Sequence, residues 1–364
     1  MEHRDSERPP TRRAYQPASR RRVPSWIPLV TMTVGVGVVI GIGLFLAVGL
    51  AGPTRVTVKF PPAGVTAPAT KAAEPATPAT QSTQAAVVAT PAVAAARFDA
   101  AAAQRTIRAL AAIGVRRGGS ANEHRGADLI VAQLRAMGYE PEVQTFKLPD
   151  GATSQNVIAR AQGDSSRVIV LGAHMDSKSP SPGANDNASG CAALLEIARD
   201  VADRRLYAGV EFVFFGTEEM VDSNPNHHHY GSRYFAGALS AAERNAVAGM
   251  VSVDMIGSGS KFASRTMGTG PQSLSDLLIQ RAKAAGMAAF YLRDPSAVGY
   301  SDHEPFERLG IPVSWIEWRT DPVYHTADDT PKHINADRLR RAGQLVLDFV
   351  LDADEAMLKV LKRH

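Results

Sequence analysis

Two histidines and a group of carboxylates stand directly after apolar, strand-like runs. His174 and Asp176 follow RVIVLG, Glu218 and Glu219 follow VEFVFF, Asp254 ends AGMVSV, and His325 lies beyond IPVSWI. Asp186 sits in the stretch PGANDNASG, just before a helical pattern. Imidazole and carboxylate donors without cysteine suit zinc or its borderline-to-hard neighbours. One carboxylate bridging two metals, plus one histidine and one carboxylate for each metal, takes as many residues as Asp186, His174, Asp254, Glu219 and His325 supply. Glu218 is then left beside a ligand, where a carboxylate acts as general base in metal-assisted hydrolysis. The single cysteine, Cys191, excludes a Cys-based zinc site and an intrachain disulfide, and reads as a small buried residue.

Such a constellation needs a scaffold that gathers strand ends. Apolar residues at helical spacing predict helices over 98–113, 128–137 (ending at Gly138), 188–204 and 273–285, and one after Asn335. Residues 142–148 and 156–161 read as a hairpin around Pro149-Asp150-Gly151. Continuous apolar runs over 167–172, 210–215, 248–255 and 311–316 read as strands buried on both faces. The alternation predicts an α/β fold, a three-layer α/β/α sandwich with a mixed, mostly parallel central sheet. Sheets of this kind place their chemistry at the carboxyl ends of the strands, where these polar residues fall.

The segments AHMDS (173–177), PGANDNASG (182–190), FFGTEEM (214–220), VSVDMIG (251–257), SDHEPF (301–306) and VYHTADDT (323–330) occur in a fixed order. Together they resemble the zinc exopeptidase family of bacterial leucyl aminopeptidases, glutamate carboxypeptidases and glutaminyl cyclases, over roughly residues 105–350. The resemblance implies that His174 and Asp254 hold one zinc ion, that Glu219 and His325 hold a second, and that Asp186 bridges them. It implies Glu218 as the general base acting on a water between two metals, and Tyr324 as hydrogen-bond donor to the oxyanion. Asp176 would accept a hydrogen bond from His174 and fix its tautomer, and the Asp186–Asn187 peptide bond would be cis. The implied cofactor is Zn2+, two ions per chain in a peptidase and one in a cyclase. The implied substrates are the N-termini of peptides or proteins.

HMDSK and HYGSRYF also resemble the cyclase branch, but animal cyclases of this pattern tend to carry Trp before the last histidine ligand. Tyr324 in that place favours a peptidase, read first as an aminopeptidase. Glutaminyl cyclisation and carboxypeptidase action are the alternatives. A degenerate binding domain ranks last, because no ligand and no base is missing.

Other conspicuous residues have plainer readings. Adjacent side chains diverge, so His227-His228-His229 reads as a surface loop at the cleft rim rather than a metal site. Asp302 and His303 stand in a family-like segment that approaches the site or stabilises its loop. Phe306, Trp315 and Trp318 are candidates for cleft walls or for core. His124 and His333 read as surface positions, and Asp328 and Asp329 as caps for the turn into the C-terminal helix.

The chain has 364 residues, 45% hydrophobic and 21% charged, with a formal net charge of +4. Residues 1–25 hold seven arginines against three acids, leaving 33 bases and 33 acids elsewhere. The excess thus belongs to one short tail, and a basic groove for nucleic acid is excluded. Residues 26–50 form an apolar run without charge, long enough to cross a bilayer. With the arginines just before it, the run predicts a transmembrane signal-anchor, residues 1–25 as a basic cytoplasmic tail and the rest outside. The lipid bilayer is then a partner, and cleavage after the span would give a secreted form. Residues 51–97, rich in Ala, Pro and Thr, read as a linker, and residues 98–364 as the catalytic domain. The sequence leaves the oligomeric state open.

Overall fold

The computed structural model describes residues 96–361 apart from Pro225 and residues 296–298. The predicted tail, the predicted span at 26–50 and nearly all of the linker lie outside the described residues. Among those described, no helix is long and apolar enough to cross a membrane.

Two helices lead the domain. Helix α1 (Ala100–Ala112) is capped by the Asp99 carboxylate, which accepts from the backbone N–H groups of Ala101 and Ala102. Helix α2 (Ala121–Ala136) starts at Ser120, whose hydroxyl accepts from the Glu123 N–H. It begins seven residues ahead of the sequence expectation, because Asn122, Glu123, His124 and Arg125 hide the apolar spacing in its first turns. The hairpin β1 (Glu142–Lys147) and β2 (Thr153–Ala161) follows, then β3 (Val168–His174), α3 (Ala188–Val201) and β4 (Gly209–Phe215). Next come α4 (Tyr230–Ala238), α5 (Ala241–Ala246), β5 (Val247–Val253), β6 (Lys261–Thr266), α6 (Ser273–Ala284) and β7 (Ala289–Arg293). The chain continues through α7 (Glu304–Arg308), β8 (Val313–Arg319), α8 (Ala336–Leu351) and α9 (Glu355–Val360).

The eight strands form one mixed sheet in the order β1-β2-β4-β3-β5-β8-β6-β7. Its centre is parallel: β3 pairs with β4 and β5, and β5 with β8. The hairpin adds an antiparallel edge through β2 and β4, and β6 runs antiparallel to β8 at the other side. Successive strand residues face opposite layers. Ile169, Leu171, Phe212 and Phe214 pack into the larger core with α1, α2, α3, α6 and α8. Val170, Val213 and Phe215 pack the other way, onto Phe235 of α4 and Phe306 of α7. The α/β/α sandwich is therefore as expected, with β6, β7 and the short helices α4, α5, α7 and α9 added to what periodicity revealed. Phe306 is fully buried and Trp318 packs edge-on to Phe262 at 5.1 Å, so both are core residues, whereas Trp315 lines the cleft.

Helix α3 is pressed against the end of β5. A Cβ on Gly190 would overlap the carbonyl oxygen of Val253, the residue that leads into Asp254. Gly190→Ala is expected to cost about 2 kcal/mol and lower Tm by roughly 4–8 °C. Thermal unfolding checks this, and an unchanged Tm would show that α3 can move aside.

Candidate active site

The carboxyl ends of the parallel strands converge on a cleft of about 700 Å3, lined by His174, Asp186, Glu218, Glu219, Asp254 and Tyr324 among others. His174 is the last residue of β3, Asp254 follows β5 directly, and the Glu pair lies just past β4. His174 Nε2 is 3.1 Å from Asp186 Oδ1 and 3.5 Å from Asp254 Oδ1. His325 Nε2 is 3.1 Å from Asp186 Oδ2 and 2.9 Å from Glu219 Oε1. Asp186 thus turns one oxygen to each histidine. The donor atoms of His174, Asp186 and Asp254 lie within 4.8 Å of one another, as do those of Asp186, Glu219 and His325. All five sequence-predicted ligands come together in the pairing that the resemblance implied, and the Asp186–Asn187 peptide is cis.

The donor set fits zinc. Asp254 Oδ1 and Glu219 Oε1 are buried without a hydrogen-bond partner, a costly state that a cation between the side chains would relieve. The other oxygen of Asp254 accepts from the Ser301 hydroxyl at 2.8 Å, which fixes its orientation. Burial and then the Asp186 charge push Glu219 up to about 7, and burial does the same to Asp302. Glu218 is held well above the carboxylate range by burial, reinforced by Glu219 and Asp302. His325 is half-buried, which opposes its charge, but the Asp186 and Glu219 carboxylates beside its Nε2 raise it to about 9. His174 is likewise raised by Glu218 and Asp254 against the effect of its burial.

Buried polar groups hold the backbone of these loops in place. The Asp176 carboxylate accepts from the N–H of Glu218 at 2.9 Å and of Glu219 at 3.1 Å. Its Oδ1 lies 3.3 Å from His174 Nδ1, but that nitrogen makes no aligned hydrogen bond. Asp176 thereby serves the Glu pair more directly than the histidine tautomer. The Arg116 guanidinium is fully buried and donates to the carbonyls of Leu110, Met175, Pro182 and Gly183, joining the Asp176 and Asp186 loops. Glu123 accepts from Gly119 N–H, the Ser154 hydroxyl and both N–H and hydroxyl of Thr217, the residue before Glu218. Among the described residues, the non-glycine positions with positive φ are Thr217, His229, Met255, Thr320 and His325. Four of these are, or adjoin, site residues, as expected where strained backbone aims functional groups.

Several sequence readings change. Asp329 is no helix cap: it is fully buried and accepts from the N–H groups of Asn185 and Asp186 and from the Ser181 hydroxyl. Asn335 caps α8 instead. Of the histidine run, only His227 is a rim residue, with Nδ1 2.7 Å from Asp222. His228 and His229 are buried, because the chain turns inward at His229 to start α4. Tyr324 stacks on His325 at 3.7 Å at the cleft mouth. Arg116, Glu123 and His229 were not singled out as site residues. Ser120 and Glu123 match the S-x-x-E capping pattern, but Arg116 has no local signal.

Residues 156–350 match the profile of peptidase family M28. An aminopeptidase of Bacillus subtilis (strain 168) is 31% identical over 224 residues, covering 58% of this chain and 48% of that protein. The chain thus spans about half the length of that curated relative. A solved zinc aminopeptidase from Bacillus subtilis superposes with a TM-score of 0.63 at 21% identity, over 70% of this chain and 95% of that one. Porphyromonas gingivalis glutaminyl cyclase superposes with a TM-score of 0.61 at 26% identity, over 70% and 98%.

Removing the guanidinium of Arg116 leaves four carbonyls to find other partners. Arg116→Met is expected to destabilise the fold by about 3–5 kcal/mol, which denaturant titration measures. A second expectation follows from the raised Glu219, Asp302 and His325. The folded metal-free chain holds protons there that the unfolded chain has released. The stability that these three groups contribute is then full below about pH 4 and is lost as pH rises through 7 to 9. Zinc competes with the same protons, so the gap in Tm between zinc-loaded and chelated protein should widen from about pH 5 to about pH 8.5. A gap that is constant over that range would contradict the proton count.

Proposed function

The chain belongs to peptidase family M28, and on that basis we propose that its catalytic domain is a zinc aminopeptidase that removes N-terminal residues from peptides or proteins. The observation that carries the reading is Asp186, which presents one oxygen to His174 and the other to His325 and so joins two donor triads. In this reading His174 and Asp254 hold one zinc ion, Glu219 and His325 a second, and Asp186 both. Zinc bound there would polarise the scissile carbonyl and lower the pKa of water.

The chain's own groups complete the chemistry. Glu218 Oε2 faces the same cleft, 4.0 Å from His174 Nε2, with its backbone fixed by Asp176. From there it takes the proton of the attacking water and passes it to the leaving amine. Tyr324 is half exposed, and partial burial and then Asp186 and Glu219 push its phenol up from its ordinary value. It stays protonated and donates to the developing oxyanion. The carboxylates lining the cleft favour a free ammonium group over a blocked chain end. Glutaminyl cyclisation with one zinc ion is the second reading, favoured by the likeness to the Porphyromonas gingivalis enzyme.

We also propose that residues 26–50 tether the enzyme to a membrane, with the catalytic domain on the extracytoplasmic side. The support is the uncharged apolar run with its preceding arginines.

Incubation with free and N-blocked peptides, with and without chelator, should show chelator-sensitive loss of residues from free N-termini alone by mass spectrometry. Pyroglutamate formation with one zinc per chain would establish the cyclase instead, and release from the C-terminus a carboxypeptidase. Glu218→Ala is expected to keep its zinc and lose turnover by roughly 10²–10⁴-fold. Near-normal turnover in that variant would remove Glu218 from the role of base.

A further inference from the structure

The histidine run ends inside the protein, against the base itself. His229 Nε2 lies 2.9 Å from Glu218 Oε1, and its Nδ1 lies 2.7 Å from Glu304 Oε2. Both His229 and Glu304 are almost wholly buried. The backbone joins the same residues: His229 N–H donates to the Glu218 carbonyl at 2.8 Å, and Tyr230 N–H to the Thr217 carbonyl at 2.9 Å. We propose that His229 is a positioning residue for Glu218, holding Oε1 so that Oε2 is left facing the His174 side of the cleft. This inference rests on the reading of Glu218 as the base.

The direction of the hydrogen bonds follows from what surrounds Glu304. Its carboxylate accepts from Arg233 Nη2 at 2.9 Å and from Arg308 Nε at 2.9 Å. With two guanidinium partners Glu304 is ionised and only accepts, so His229 Nδ1 carries a proton and donates to it. That leaves Nε2 for Glu218. A neutral His229 accepts there from a protonated Glu218, and a charged His229 donates to an ionised one. The contact forms whichever of the two atoms holds the proton. Those two states share a single proton; when Glu218 takes a further one from water on Oε2, Oε1 still accepts from a charged His229, so the anchor persists in the loaded base.

The alternative use of this cluster is a third metal site, since the donor atoms of His228, His229 and Glu304 lie within 4.8 Å of one another. Arg233 already places a cation there, 3.1 Å from His228 Nε2 and 2.9 Å from Glu304 Oε2. His229 Nε2 is committed to Glu218. The cluster is thus built around an arginine and serves the base.

The test compares His229→Ala, His229→Gln and Glu218→Ala with wild type, each at measured zinc content. His229→Ala should lower kcat by about 10–100-fold, with KM and zinc content unchanged. His229→Gln, whose amide can donate or accept towards Glu218, should recover most of that loss. In a Glu218→Ala background, His229→Ala should have no further effect on residual turnover, as expected of two residues acting as one unit. Histidine-selective 15N NMR of the metal-free protein should show His229 protonated on Nδ1. The inference is overturned by kcat within about twofold of wild type in His229→Ala, by a Gln variant no better than Ala, by independent losses in the double variant, or by a His229 protonated on Nε2 alone. His229→Leu replaces the alanine variant in each comparison if the latter fails to fold. Full turnover in Glu218→Ala would defeat the underlying reading, whereas an inactive Glu218→Ala beside an active His229→Ala would defeat only the inference.

Discussion

The structure depends on holding several carboxylates and two imidazoles in one buried space at the end of a sheet. Asp186 is the pivot, because each of its oxygens answers a different histidine. Like charges brought this close repel, and burial removes the water that would screen them. Protons carry the compensation in the metal-free chain, and zinc ions do so when bound. The same crowding that makes the site expensive to assemble is what makes it a site for divalent cations.

Holding that arrangement falls to groups that bind backbone rather than substrate. Arg116 ties the end of α1 to the loops after β3, and Asp329 grips the successive N–H groups of Asn185 and Asp186. Asp176 and Glu123 fix the residues from Thr217 to Glu219. Ligands on loops lack the regular ladder that fixes a strand. Here the missing backbone partners come from buried charged side chains, which satisfy those groups and remove the loops' freedom together.

The sheet supplies the coarse positioning. Four parallel strands run side by side, so their carboxyl ends open on one edge, and the residues just beyond them meet without long excursions. Alternation within each strand commits one face to the large helical layer and the other to α4 and α7. Phe306 shows the economy of the arrangement: it is core for the second layer on the same short helix that starts with Glu304, the partner of His229.

By itself the sequence marked the five candidate donors, Glu218 as the proposed base and the buried strands that carry them, because these are local facts. A continuous apolar run reads as a central strand, and the polar residue that follows it stands at the strand end whatever the rest of the chain does. It also marked the Asp186 loop, through its composition and its place before a helix. Tertiary structure alone decided that His229 turns inward to meet Glu218 while His227 stays at the rim. It decided too that Asp329 serves Asp186 rather than α8, and that Arg116 lies buried among carbonyls. The longest of these contacts span 75 positions, between His229 and Glu304, and 143, between Asp186 and Asp329. No periodicity records such contacts. The direction of a loop side chain is set by which distant backbone needs a partner, and that is known only when the layers have closed.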